Sequence, residues 1–329
     1  MIWKVPFTKM VGTGNDFIVV DTRRERLASR AVRWGAFSRA CCDRRSGIGA
    51  DGVLVLEPSK TSTVKMRVIN PDGSEAKMCG NGARCVALYL REATSPHTKL
   101  ASEGKSKTFG VGASDKPAAA RVRGGPGRQT TRNGHVTIET MAGVLSAQVR
   151  GHRVAIRMTN PTGLQLDQLL VIGRKRIRYG FVDTGVPHVV VRVAALDTVD
   201  VGGLGRALRY HARFSPKGTN VNVIQPDPSR ANRLRIRTYE RGVEAETLAC
   251  GTGAVAAAIL HEASQAGKAR PHGPMKTRSV EIETRSGDVL TVSLAIRRLG
   301  SRLSITEVVL EGPATRVFDG CVSWPMRSI

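Results

Sequence analysis

The amino-acid sequence predicts a mixed α/β (α+β) protein of two pseudo-symmetric domains. Each is expected to be a strand-rich, barrel-like shell around one central helix, with the active site in the interdomain cleft. Three observations predict this. The octapeptide Met78-Cys79-Gly80-Asn81-Gly82-Ala83-Arg84-Cys85 has a near-copy at Ala249-Cys250-Gly251-Thr252-Gly253-Ala254-Val255-Ala256, and an apolar helical stretch follows each. Around the two copies lie many short strand runs, without the regular β-α-β alternation of a doubly wound fold. At 329 residues the chain is long enough for two domains that each bury a core.

In chain order, residues 5–21 alternate turn and strand signals: an apolar start, Gly12-Thr13-Gly14-Asn15, then Phe17-Ile18-Val19-Val20. Residues 28–42 carry helical spacing through Ala31, Trp34, Phe37, Ala40 and Cys41. Strands are expected at 53–56 and 64–69, and Asn70-Pro71-Asp72-Gly73 is a turn. The first Cys-Gly-Asn-Gly opens a helix through about Arg91. The segment 104–134, with seven Lys or Arg, one Asp and seven Gly, has little hydrophobic periodicity and predicts a flexible basic insertion. Strand runs resume at 136–141, 144–149, 153–158, 177–182 and 189–193, then at 221–225, 233–239, 279–284, 288–296 and 302–311. The second Cys-Gly-Thr-Gly helix is expected from about 251 to 266, stopping at Gly267. The duplication places a first domain at 1–141 and a second at 142–310.

Composition narrows the function. Hydrophobic content of 41% and charged content of 24% are those of an ordinary soluble globular protein. No apolar run approaches the ~18 residues of a membrane helix, so no membrane partner is expected. The N-terminus lacks a signal-peptide core, and a cytoplasmic location with reduced thiols is expected. The six cysteines form no Cys-x-x-Cys, and the seven histidines show no ligand spacing with them, so no metal is predicted. The formal charge of +24 raises the possibility of a nucleic-acid partner. Yet the 38 arginines are spread along the chain, and aromatics, which would stack on bases, make up only 4%. The charge is therefore read as solvated surface, with no specific nucleic-acid partner. Gly47-Ile-Gly49-Ala50-Asp51-Gly52 fits the dinucleotide pattern Gly-x-Gly-x-x-Gly, but it precedes a strand where the motif requires a helix.

The chemistry is expected at the two cysteines that open helices. There a sulfur meets unpaired backbone N–H groups and the positive end of the helix dipole, which favour a thiolate and bring its pKa toward neutrality. The same helix ends can grip a substrate carboxylate and accept the charge that develops when its α-carbon loses a proton. Two opposed thiols can take a proton from one face of a carbon and return one to the other. A single Cys-Gly would be read as a small buried residue, and packing is the expected role of Cys41, Cys42, Cys85 and Cys321. Duplication with the same glycine spacing singles out Cys79 and Cys250.

Several ordered motifs carry a resemblance. They are Phe7-Thr8-Lys9-Met10-Val11-Gly12-Thr13-Gly14-Asn15-Asp16-Phe17, Gly47 to Gly52, Asn70-Pro71-Asp72-Gly73-Ser74 and the first Cys-Gly-Asn-Gly. Gly185-Val186-Pro187-His188, Asn220-Val221-Asn222 and Tyr239-Glu240-Arg241-Gly242 follow, then Glu246-Thr247-Leu248-Ala249-Cys250-Gly251-Thr252-Gly253. In this order, from residue 7 to about 324, the chain resembles the diaminopimelate epimerases. The resemblance implies a cofactor-independent epimerisation of LL- to meso-diaminopimelate, a step toward lysine and peptidoglycan. It makes Cys79 and Cys250 the two proton carriers, with His188 and Glu240 tuning the thiols. Asn15, Asn70, Asn222, Glu240 and Arg241 would line the substrate pocket, and Gly80, Asn81, Gly251 and Thr252 would hold the reacting carboxylate. It also implies a homodimer, and a tail from about 311 to 329 that returns to the first domain. Two departures from the family pattern bear on the substrate. Val186 stands where many members carry Asn, and the stretch from Glu240 to Thr247 is one residue longer than the commoner form. A related racemase acting on another amino acid is the close alternative; a nucleic-acid-binding protein on the same scaffold is the alternative from another class.

Overall fold

The computed structural model describes residues 2–23, 32–94, 132–266 and 274–325. The first half opens with β1 (Ile2–Gly12), which turns at Thr13-Gly14 into antiparallel β2 (Asn15–Asp21). Helix α1 (Trp34–Cys42) then leads to β3 (Gly52–Glu57), parallel to β2. β4 (Val64–Ile69) runs antiparallel to β3 and pairs with the short β5 (Glu75–Ala76). Helix α2 (Gly80–Thr94) follows, and β6 (His135–Thr140) pairs parallel with β4. β7 (Gly143–Arg150) and β8 (Arg153–Arg157) complete a meander.

The second half repeats this plan. After β9 (Thr162–Ile172), β10 (Lys175–Asp183) and β11 (Pro187–Arg192) pair antiparallel. Helix α3 (Val201–Arg209) leads to β12 (Asn220–Pro226), parallel to β11. β13 (Arg233–Glu240) and β14 (Ala245–Thr247) precede helix α4 (Gly251–Ala266). β15 (Lys276–Glu283) pairs parallel with β13, and β16 (Val289–Leu299) and β17 (Arg302–Pro313) follow antiparallel. β18 (Thr315–Pro325) crosses back and pairs with β1, just as β9 pairs with β10. β8 pairs with β17, so all strands join one 18-stranded sheet system.

Each half thus wraps its strands around one helix, for a reason visible in the residues. In α4 every residue from Gly253 to His261 is buried. A helix apolar on all sides must be enclosed, and its alanines let strands approach closely. One core surrounds α4, with Val182, Ile236, Val280, Val292 and Leu310. Another surrounds α2, with Met10, Leu54, Met66, Ile138 and Ile156. Two smaller cores lie under α1, around Trp34 and Phe37, and under α3, around Leu208 and Tyr239.

The boundary expected between residues 141 and 142 falls inside the β6–β7 hairpin. Ala147 and Val149 of β7, and Val154 and Ile156 of β8, pack in the core of α2. Most of the expected basic insertion at 104–134, part of the expected helix at 28–42 and the terminator Gly267 lie outside the described residues. The elements absent from the sequence expectation are the short β5 and β14, together with β9, α3 and β18. Gly47, in the dinucleotide-like pattern, sits where a Cβ would collide with the Ala40 carbonyl, so it serves the tight return from α1 into β3. No described helix is long and apolar enough to cross a membrane.

Candidate active site

The two cysteine motifs open the two central helices. Cys79 immediately precedes α2 and Cys250 immediately precedes α4, and each carbonyl accepts the first helical N–H, from Ala83 and Ala254, at 2.9 Å. The Gly82 N–H donates to Cys79 Sγ at 3.4 Å, and Thr252 Oγ1 lies 3.4 Å from Cys250 Sγ. The two helix starts face each other. A Cβ placed on Gly251 would lie 3.7 Å from Asn81 Oδ1 and 3.9 Å from Arg84 Nη1. One on Gly80 would meet nothing within 4 Å, so the first start borders open space.

Burial pushes the Cys250 thiol up to about 12, with the charge of Glu240 and that of Cys79 adding to the rise. The hydrogen-bond donors at Thr252 and Gly253 offset part of it. Cys79 is raised by burial too, and by Glu240, while the Gly82 N–H, Arg84 and the Asn81 backbone pull it down. The sequence expectation that the helix starts would bring both thiols toward neutrality is therefore corrected. Loss of water around each sulfur outweighs the donors of one helix end. The carboxyl of Glu240, itself raised by burial, is felt by both sulfurs.

A chain of side-chain hydrogen bonds fixes the first helix start. Asn15 Nδ2 donates to Asp51 at 3.0 Å, and Asn81 Nδ2 donates to Asn15 Oδ1 at 2.6 Å. Arg84 Nη2 donates to Asn81 Oδ1 at 2.7 Å and to Thr13 Oγ1 at 2.6 Å. The second start is set differently. Asn222, fully buried, donates to the Val189 carbonyl at 3.0 Å and faces His188 Nδ1 at 3.1 Å, while its Oδ1 accepts from Thr238 at 3.0 Å. With Oδ1 receiving a hydroxyl, Nδ2 is the donor to His188, so Nδ1 is unprotonated and Nε2 carries the ring proton. Burial, helped by Arg241, holds His188 down at about 3, a neutral ring at physiological pH.

Of the remaining expected residues, Asn70 closes its own turn, donating to Ser74 Oγ at 2.9 Å. Arg241 gives its backbone N–H to Asn220 Oδ1 at 2.8 Å and one guanidinium N–H to the Lys217 carbonyl at 3.0 Å. The longer stretch after Glu240 forms a turn with Gly242 at φ 92° and Glu244 at φ 58°. The Glu244 carboxylate pins it by accepting from Arg209 Nε at 3.0 Å and the Gly242 N–H at 3.1 Å. Val186 closes another turn through its carbonyl, which accepts from the Thr184 N–H at 3.1 Å. The structure adds residues that sequence reasoning did not single out: Asp51, Thr13, Asn220, Thr238 and above all Arg84. Arg84 lay inside the first octapeptide, and its signal was the mismatch with Val255 in the second. Among the described residues no cluster of His, Cys, Asp and Glu is placed to hold a metal ion.

Comparison with known proteins decides the family. The family model for diaminopimelate epimerase matches residues 7–108 and 180–316. The chain belongs to the diaminopimelate epimerase family. It is 37% identical over 325 residues to a diaminopimelate epimerase of Aquifex aeolicus, covering 96% of this chain and 97% of that one. To the diaminopimelate epimerase of a Hydrogenobaculum species it is 34% identical over 326 residues, 96% of this chain and 98% of the other. In fold it is similar to a hydroxyproline epimerase from Agrobacterium vitis solved with trans-4-hydroxy-L-proline, at a TM-score of 0.60 and 17% identity, covering 98% of this chain and 94% of that one.

Proposed function

We propose that this member of the diaminopimelate epimerase family interconverts LL- and meso-2,6-diaminopimelate without a cofactor, using Cys79 and Cys250 as paired proton carriers. The observation that carries this reading is the apposition of the two Cys-Gly helix starts, close enough that the charge of one sulfur is felt by the other. One sulfur, as thiolate, takes the α-proton and becomes a thiol. The other thiol gives its proton to the opposite face of the carbon and becomes a thiolate. The configuration inverts and the two sulfurs exchange states, so the reverse reaction starts from the other cysteine.

The geometry supports roles for the remaining groups. Backbone donors at Gly80, Asn81, Gly251 and Thr252 are suited to the reacting carboxylate, which takes up charge as the α-proton leaves. Glu240, sensed by both sulfurs and raised by burial, is suited to tuning the ionisation of either one. His188, neutral with its proton on Nε2, accepts from Asn222 Nδ2 through Nδ1 and sets the orientation of that amide. Arg241 is suited to the distal carboxylate as a bidentate partner, and Asn15 and Asn70 to the distal ammonium. Asn222 spends its amide on protein partners, so its part is to shape the pocket wall rather than to touch substrate.

The same reading carries a homodimer in the cytoplasm and two domains dividing between β8 and β9, where the cores around α2 and α4 separate. Measuring deuterium uptake at the α-carbon in D2O tests it, with LL-diaminopimelate beside histidine, proline and glutamate. Uptake with LL-diaminopimelate alone is expected. Exchange only into one of the other amino acids would move the assignment to a related racemase.

A further inference from the structure

The two helix starts are pseudo-symmetric in backbone but not in charge. Aligned through Cys-Gly-x-Gly-Ala, Arg84 of the first copy corresponds to Val255 of the second. Both are fully buried. A buried cation therefore stands five residues after Cys79, hydrogen-bonded to Asn81 and felt by that sulfur, and a hydrocarbon stands at the same position after Cys250.

Arg84 is an unusual cation. Its two hydrogen-bond acceptors, Thr13 Oγ1 and Asn81 Oδ1, are both neutral, and both take their bond from Nη2. Nε and Nη1 are buried without a hydrogen-bond partner among the described residues. Gly312 makes room for the guanidinium, since a Cβ there would lie 3.1 Å from Nε. Thr13 holds a left-handed φ of 50°, so the β1–β2 turn that receives Arg84 is itself kept in a strained conformation. Burying a guanidinium on neutral partners is unfavourable unless a negative charge is close. The charged and titratable groups around it are Cys85, Cys79, Asp288 and Arg153. Cys85 is pushed up to about 12 by burial and stays neutral, and the Asp288 carboxylate, which accepts from Ser286 Oγ at 2.9 Å, makes no hydrogen bond with Arg84 among the described residues. Glu240 opposes ionisation of Cys79, and Arg84 favours it.

We propose that Arg84 is a positioning residue that gives the pseudo-symmetric site its direction. Its buried guanidinium is the counter-charge for an ionised Cys79, and through Asn81 it fixes the helix start beside that sulfur. Cys79 is then the more readily ionised of the two sulfurs, the one that first serves as base, and Cys250 the thiol. This rests on the reading of these two cysteines as the reacting pair.

The test is alkylation of the full-length protein by iodoacetamide across pH 7 to 12, with the Cys79 and Cys250 peptides quantified separately by mass spectrometry. In the wild-type protein the midpoint for Cys79 is expected below that for Cys250. Arg84→Met should raise the Cys79 midpoint by about one pH unit or more, the size expected for loss of a neighbouring opposite charge, and move that of Cys250 by less. Arg84→Lys, which keeps the charge and loses the paired bonds to Asn81 and Thr13, should leave the Cys79 midpoint within about half a unit of wild type. An unmoved Cys79 midpoint in Arg84→Met, or equal movement of both cysteines, overturns the proposal. So does a wild-type midpoint for Cys250 at or below that for Cys79, a result that needs no variant to fold. No substrate enters the readout, so its outcome is separate from that of the deuterium-uptake assay.

Discussion

The strands beside the two reacting sulfurs share one backbone plan and differ in chemistry. In the first half, β2, β3 and β4 place Phe17, Leu54 and Val68 at ladder positions that β11, β12 and β13 fill with His188, Asn222 and Thr238. The equivalence is physical. A Cβ on Gly82 would meet Leu54 and the Cβ of Cys79; one on Gly253 would meet Asn222 and the Cβ of Cys250. The first half thus has an apolar wall and the buried Arg84, while the second has a neutral hydrogen-bonded wall and Val255 in place of that cation. A duplicated scaffold supplies matched geometry for two-faced proton transfer, and its substituted positions make the two faces chemically distinct.

The largest effect expected from breaking this pair is on catalysis. Cys79→Ser and Cys250→Ser should each lower the epimerisation rate on the order of 10³-fold, because a serine is too weak an acid and base to replace either thiol. Chiral chromatography of the product reads the rate. Retention of more than a tenth of wild-type activity in either variant would show that one half works without the other.

A second test copies the first half's wall onto the second. His188 is held at about 3, against an ordinary value of 6.5, so between those pH values the unfolded chain binds the extra proton. Stability from the neutral ring is complete above pH 6.5 and falls as the pH drops toward 3. His188→Phe should flatten the loss of unfolding free energy between pH 7 and pH 4.5, followed by urea denaturation. It should also cost about 1–3 kcal/mol at pH 7 by leaving an Asn222 donor unpaired. Asp16 does not confuse the window. Although burial works against it, Arg44 and Lys9 hold it at about 2, so its contribution is lost only below pH 3.8. An identical pH slope in the variant would show that His188 is not held neutral.

The finest comparison is the difference between two glycines. In Gly253→Ala the new methyl meets the fixed amide of Asn222, and in Gly82→Ala it meets the end of Leu54 at 2.9 Å, which can turn aside. The first should destabilise by about 2–3 kcal/mol and the second by about 1 kcal/mol or less, measured by urea midpoints. Equal losses would mean the two walls yield alike.

Much of this was legible in the sequence. The helix starts at Cys79 and Cys250 follow from glycine spacing and an apolar run, and most strands from alternation or β-branched runs. Helix α3 was not legible, because Val201-Gly202-Gly203-Leu204-Gly205 reads as loop. Its helix survives because Asp200 caps it, accepting from the Gly203 N–H at 2.9 Å, and because Gly205 lies flat against the Tyr239 ring. β9 is not legible because none of its residues is buried and its Gln165, Asp167 and Gln168 interrupt the apolar run, and β18 because it is a strand only through its pairing with β1. The dispersed arginines were read correctly as surface in part. Arg233, Arg235 and Arg237 pair with Glu283, Asp197 and Glu246 along one face of β13, whereas Arg84 went inside.

By itself the sequence determined the local signals: which residues open helices, where strands run and that two similar units exist. Only the tertiary structure decided that the helix starts meet and that β18 closes the first shell as β9 closes the second. It also decided that Arg84 is buried and felt by Cys79, and that burial raises both thiols. Each of these depends on water removed by residues distant in the chain, and solvent exclusion is a property of the packed assembly that no short window of sequence encodes.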